Sequence, residues 1–230
     1  MVTVVADVDR RPRAAQAEVT RRQILATAER LFAEEGLYAV SNRQISAAAG
    51  QGNNAAVGYH FGTKADLVRA IARRHTEAIE ELRVACVSAV RGSREVRDWV
   101  DCLVRPVTSH LSSLDGPTWF ARFAAQVMTD PAFRPVLAEE SLASPSLREV
   151  LDQLSSCLPE VPPDVRADRA DMVRHLILHV CAERERALAE GEVTPRAGWD
   201  GAATGLVDAI VGLWTAPHAG ERSRPRPPGL

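Results

Sequence analysis

Asp171, His175, His179 and Glu183 recur every four residues, so on a helix all four would line one stripe. Two imidazoles at i, i+4 can bind zinc. The segment HLILH, however, lacks the glutamate after its first histidine that a metalloprotease needs, and the sequence offers no identifiable third ligand. The stripe therefore reads as a polar flank between copies of the chain, tuned by pH, and a metal site is not expected. Serine, histidine and aspartate are all present, but no G-x-S-x-G, Walker or G-x-G-x-x-G sequence frames them. No catalytic residue, cofactor or enzymatic activity is expected. Cys86, Cys102, Cys157 and Cys181 are scattered without a CxxC pair, which fits free thiols in a reducing cytoplasm better than a zinc knuckle or disulfide framework.

Two further groups could bind rather than react. Arg10, Arg11 and Arg13 form a basic cluster that either touches phosphate or is a solvated tail. Trp99, Cys102, His110, Trp119, Phe120, Arg122, Phe123, Gln126 and Met128 combine apolar walls with a few polar groups. That mixture suits a small-molecule pocket, or an ordinary core.

Charge is unevenly spread. Through His75 there are 11 basic residues against 7 acidic ones, a net of +4 in a chain of net −2, which leaves −6 for the remainder. A basic N-terminal third on an acidic body suggests local attraction to a polyanion. The first residues lack the order of a secretory signal, and no apolar run approaches the ~18 residues that span a bilayer. A cytoplasmic protein with no membrane partner is expected.

The elements that would position these groups all read as helices. Thr20 with Gln23 forms a capping box opening a helix to about Glu35, with Ile24, Leu25, Ala28, Leu31 and Phe32 on its buried face. Residues 1–17 before it read as a disordered arm. Ser41 with Gln44 is a second capping box, starting a short helix that Gly50 ends by supplying a positive φ. A helix of two turns or so fits Asn54–His60, and helix, glycine turn, helix is the arithmetic of a helix-turn-helix. Thr63, with Asp66 three residues on, caps a long helix to about Arg91.

The body continues in the same way. A helix covers Val96–Leu111 with Pro106 inside it, which removes a hydrogen bond to Cys102 and is expected to kink or split it. Pro117 at N1 precedes the helix TWFARFAAQVM; Ser144-Pro145 opens another, and one more covers Asp164–Glu190. Thr194-Pro195 opens the last, and residues 217–230 read as a disordered tail. No alternating β-branched pattern occurs. The fold class is all-α.

TRRQILATAERLFAEEG, the Ser41 helix ending in AAAG, and YHFGTKADLVRAI resemble, in order and without large gaps, the N-terminal domain of TetR-family transcriptional regulators. The resemblance implies a three-helix DNA-binding domain, here 18–65, joined to a helical effector-binding and dimerisation domain, 66–216. It implies that the third helix enters the major groove, which puts Gln51, Asn53 and Asn54 at base edges. Asparagine and glutamine can bond adenine N6 and N7 together, although either asparagine could instead cap the helix. Arg43, Tyr59, His60, Thr63 and Lys64 match family positions that hold the phosphate backbone.

Two features depart from the family pattern. The spacing from Gly50 to Tyr59 is one residue longer than usual, and Gly58 stands where a phosphate-contacting tyrosine is common. The resemblance also implies a double-stranded DNA operator, a homodimer and a small apolar or amphipathic ligand. Leu176, Ile177, Val180, Leu206, Ile210, Leu213 and Trp214 would join the last two helices of each subunit into a four-helix interface, because their apolar faces exceed what one subunit covers. A repressor released by its ligand is the expected function. A regulator without an effector, an activator, and an enzyme or metal-binding helical protein are the alternatives.

Overall fold

Helix α1 spans Arg10–Glu35 in the computed structural model, which describes residues 10–193 and 198–218. It is therefore already under way at Thr20, and the expected Thr20–Gln23 capping box does not form. The preceding RRPRAAQAEV consists mostly of strong helix formers. Pro12 falls in the first turn, where N–H groups have no intrahelical acceptor. Residues 10–17 of the expected arm are thus helical. Residues 1–9, the Thr194-Pro195 start and most of the expected tail lie outside the described residues.

The remaining helices are α2 (Asn42–Ala48), α3 (Ala56–Phe61), α4 (Lys64–Ala89), α5 (Val96–Ser113), α6 (Phe120–Thr129), α7 (Arg134–Leu142), α8 (Pro145–Cys157), α9 (Pro163–Glu190) and α10 (Gly198–Thr215). No strand occurs among the described residues. They fold as two compact units. One takes the described residues to Thr76 together with Thr118–Ser141, and the other takes Glu77–Pro117 with Leu142 onward. The division falls inside α4, not at residue 65, and α6 belongs with the first unit.

In the first unit α6 packs on α1, and α2 contacts both α1 and α3. Its core is Ile24, Ala28, Phe32, Ile45, Val57, Leu67, Ile71 and Phe123, with Phe32 and Phe123 stacked at 6.3 Å between ring centres. His75 of α4 is buried against this core. Its Nε2 lies 2.9 Å from Glu29 Oε2 of α1, and its ring stacks on Phe120 of α6 at 3.8 Å. Helix α7 was not expected from the sequence. Arg69 and Arg73 of α4 hold its Glu140, Arg73 through two bonds of 3.0 Å. These guanidiniums, Arg73 first, draw the Glu140 carboxyl below the usual carboxylate range.

In the second unit α10 packs on α5 and α9, and α5 packs on α8. Helix α5 runs unbroken through Pro106. The Cys102 carbonyl, which Pro106 cannot serve, accepts instead from Arg83 Nε at 3.2 Å. Arg83 is itself buried, and burial lowers its proton affinity against the opposing pull of Glu80. Glu80 in turn accepts from the N–H of Ser146 and from the Ser144 hydroxyl, the N-cap of α8. A buried guanidinium thus repairs the defect that a proline makes in a neighbouring helix.

The residues expected at a dimer surface divide. Leu206, Ile210, Trp214 and Ile177 are buried in the subunit's own core, where α10 meets α5 and α9. Leu176, Val180 and Leu213 remain half-buried, and Met172 is 53% exposed beside them. The periodicity located the apolar helices correctly but counted as surplus the side chains that a single subunit already covers.

Candidate nucleic-acid interface

Ser41 caps α2 as expected. Its hydroxyl accepts from the Gln44 N–H at 3.2 Å, and its own N–H donates to Gln44 Oε1 at 2.8 Å. Gly50 turns the chain with φ +69°, a conformation that an L side chain adopts only with strain. The Ser46 hydroxyl, fully buried, then donates to the Asn54 carbonyl at 3.3 Å and fastens the turn to α2.

Helix α3 begins at Ala56, two residues later than expected, because Asn53 makes its own turn first. Asn53 Oδ1 accepts the Ala55 N–H at 2.9 Å, while its carbonyl accepts from the Ala56 N–H at 3.0 Å. Gln51, Asn53 and Asn54 therefore lie on the approach to α3 and not in its first turn. Their side chains do different things. Gln51 Nε2 folds back to the Ala49 carbonyl at 3.0 Å, and Asn53 closes the turn that precedes α3, which has no side-chain cap of its own. Asn54 is exposed, and its amide has no partner among the described residues.

The backbone-contact candidates also divide. Arg43 is exposed and Tyr59 is 85% exposed, its ring edge-on to His60 at 5.0 Å. Thr63 is committed to capping α4: its N–H donates to Asp66 Oδ2 at 3.0 Å, and its hydroxyl accepts from the Asp66 N–H at 3.2 Å. Bonds from the Thr63 hydroxyl and N–H hold the Asp66 carboxyl below its ordinary value. Lys64 points inward. Its ammonium donates to the carbonyls of Leu37 at 2.7 Å and Val40 at 2.8 Å, pinning the α1–α2 linker, and partial burial lowers its proton affinity. It does not stand free for a phosphate.

One contributor escaped the sequence reading. Arg21 lays its guanidinium over the Phe61 ring at 4.3 Å and donates to the His60 carbonyl at 3.0 Å. A cation thus satisfies a carbonyl in the last turn of α3, where the helix dipole favours it. A basic residue one turn before Ile24 on α1 was the available signal, but its partner lies 39 residues away. Gly58 lies within α3 with nothing within 4 Å of where a Cβ would stand. Gly58→Ala is therefore expected to stabilise the protein by about 0.5–1 kcal/mol, read as a raised melting temperature.

The pocket candidates fall in both units. Trp99, Cys102 and His110 are buried in the second, where Trp99 Nε1 donates to the Ser93 carbonyl at 3.1 Å and burial pushes the Cys102 thiol up to about 12. In the first, Phe120, Phe123 and Met128 belong to the core. Trp119 Nε1 donates to Glu34 at 3.2 Å, and Arg122 donates to the Thr118 carbonyl at 2.8 Å. Gln126 lines a surface cleft of about 460 Å³ with Gly36, Tyr38, Thr129 and Asp130. Core packing accounts for most of these side chains.

Comparison with known proteins places the chain in a family. Residues 24–71 match the family described as bacterial regulatory proteins, tetR family, and residues 101–212 match the tetracyclin repressor-like C-terminal domain. No curated protein matches the chain. Among solved structures, one described as a tetR family transcription regulator from Shewanella sp. PV-4 is 17% identical with a TM-score of 0.55, covering 85% of this chain and 96% of its own. The TetR family transcriptional regulator PfmR from Thermus thermophilus is 19% identical with a TM-score of 0.50, covering 83% of this chain and 96% of its own. Those two likenesses are of fold alone, whereas the two family matches fall on the helix-turn-helix and on the helices beyond it. Among the described residues no helix is long and apolar enough to cross a membrane. The chain belongs to the TetR family of transcriptional regulators.

Proposed function

We propose that the protein is a homodimeric repressor that binds a pseudo-palindromic operator and is released from it by a small apolar or amphipathic molecule. The observation that carries the reading is the exposed edge of the helix-turn-helix, whose first helix is closed by the Ser41–Gln44 capping box. Asn54 offers an amide without a partner among the described residues there, and Arg43 and Tyr59 of the same motif are also exposed. Asn54 is the base reader, able to bond N6 and N7 of one adenine. Arg43 and Tyr59 hold phosphate and set the register. A second copy would cover Met172, Leu176, Val180 and Leu213, giving two heads for two half-sites. The effector would act by binding the conformation that does not fit DNA more tightly than the one that does, and the match to a repressor-like C-terminal domain supports this part of the reading.

Footprinting on genomic DNA, with and without metabolite pools, tests the reading. Protected sites should be pseudo-palindromic and lose protection with one pool fraction. On such a site Asn54→Ala is expected to cost about 1–3 kcal/mol of binding while leaving affinity for random DNA, and its salt dependence, unchanged. Equal losses on both DNAs would mean that Asn54 touches the backbone, and no loss on either would remove it from the interface.

A further inference from the structure

We infer that His175 and His179 form a two-imidazole site for a late first-row divalent cation such as nickel, copper or zinc, on the outward side of α9. Both residues are exposed, and their ring centres lie 6.1 Å apart. Among the described residues neither ring is held by a hydrogen bond or ion pair. The flanking carboxylates are engaged: Asp171 pairs with Arg174 at 2.9 Å and Glu183 with Arg186 at 3.6 Å. What remains between those pairs is two imidazole rings without a hydrogen-bond or ion-pair partner among the described residues.

The geometry suits chelation. Metal–nitrogen bonds of ~2.0–2.1 Å at a tetrahedral ion place two ring centres about 5 Å apart. The observed pair must close by roughly 1 Å, which exposed side chains reach by turning χ angles without moving the helix. Imidazole donors favour zinc, copper and nickel over magnesium or calcium, which take oxygen. The missing glutamate and third ligand argue against a protease-type centre. They do not argue against a chelating pair, whose other positions water or the same pair on a second copy can fill. An ion held at i, i+4 ties one turn of α9 to the next and stabilises the helix against opening.

The test uses the full chain without an affinity tag, titrated with nickel chloride by calorimetry and followed by thermal melting, with magnesium chloride as the control cation. Saturable nickel binding and a raised melting temperature are expected, both lost in His175→Ala and in His179→Ala. Circular dichroism of these variants should match the parent, since both positions are exposed. One ion per chain supports a site completed by water, and one ion per two chains supports a site completed by a second copy. Absence of saturable binding, or binding that survives both substitutions, would overturn the inference.

Discussion

Lys64→Glu is expected to lower the melting temperature by many degrees and to weaken binding to operator and random DNA alike. The cause is internal. The Lys64 ammonium bridges the carbonyls of Leu37 and Val40 and so fixes the linker from which α2 departs. Lys64→Met removes both charge-assisted bonds without adding a charge and should cost about 2–3 kcal/mol, since the freed carbonyls regain only part of their hydration. In a protein of this size that is about 2–4 °C of melting temperature per kcal/mol. Glutamate does more harm, because it turns a carboxylate toward two carbonyl oxygens. Melting curves of both variants, measured without DNA, are the check. If Lys64→Met melts with the parent and yet binds DNA poorly, the ammonium serves phosphate and the pinning account is wrong.

The second large effect concerns the buried guanidinium. Arg83→Met should destabilise the protein by about 1–3 kcal/mol, the cost of stranding a buried carbonyl, here that of Cys102. The informative comparison is with Pro106→Ala, which gives α5 back the N–H that Cys102 lacks. In that background Arg83→Met should cost less by about 1 kcal/mol or more, a coupling well above the ~0.3–0.5 kcal/mol scatter of independent sites. Denaturant melts of the two single variants and the double variant complete the cycle. Strict additivity would mean that Arg83 stabilises the unit only through Glu80 and Ser144.

The difference between what could be read early and what could not follows the range of the interaction. The Ser41–Gln44 box, the Thr63–Asp66 cap and the Ser144-Pro145 start are decided within a turn of helix and were legible. Thr20 and Gln23 carry the same local pattern, yet the helix formers before them extend α1 past it. Helix α7 was hidden by Pro131 and Pro135, the second of which falls in its first turn and does no damage there. Helix α6 was legible as a helix but not as part of the first unit, because Phe120, Phe123 and Met128 would look the same lining a cavity. The hydrogen bond that Pro106 removes could be read from the sequence, whereas the arginine that replaces it comes from another helix. In the Gly50–Tyr59 turn the residue types could be read from the sequence, but not the hydrogen bonds that each side chain makes. Asn53, which closes a turn onto Ala55, and Asn54, whose amide has no partner among the described residues, look alike in the sequence.

Helix α6, encoded between α5 and α8, completes the core that α1 begins, through Phe123 on Phe32 and Phe120 on His75. The DNA-reading part of this protein is consequently not a cassette. A recombination event that moved the first 76 residues onto another body would carry the Gly50–Tyr59 turn intact. It would also leave Phe32 and the ring of His75 facing water, at about 1.5–3 kcal/mol for each large apolar side chain uncovered. Simple transplantation of the N-terminal segment would therefore strand this core, whereas substitution of the exposed residues in the Gly50–Tyr59 turn would not.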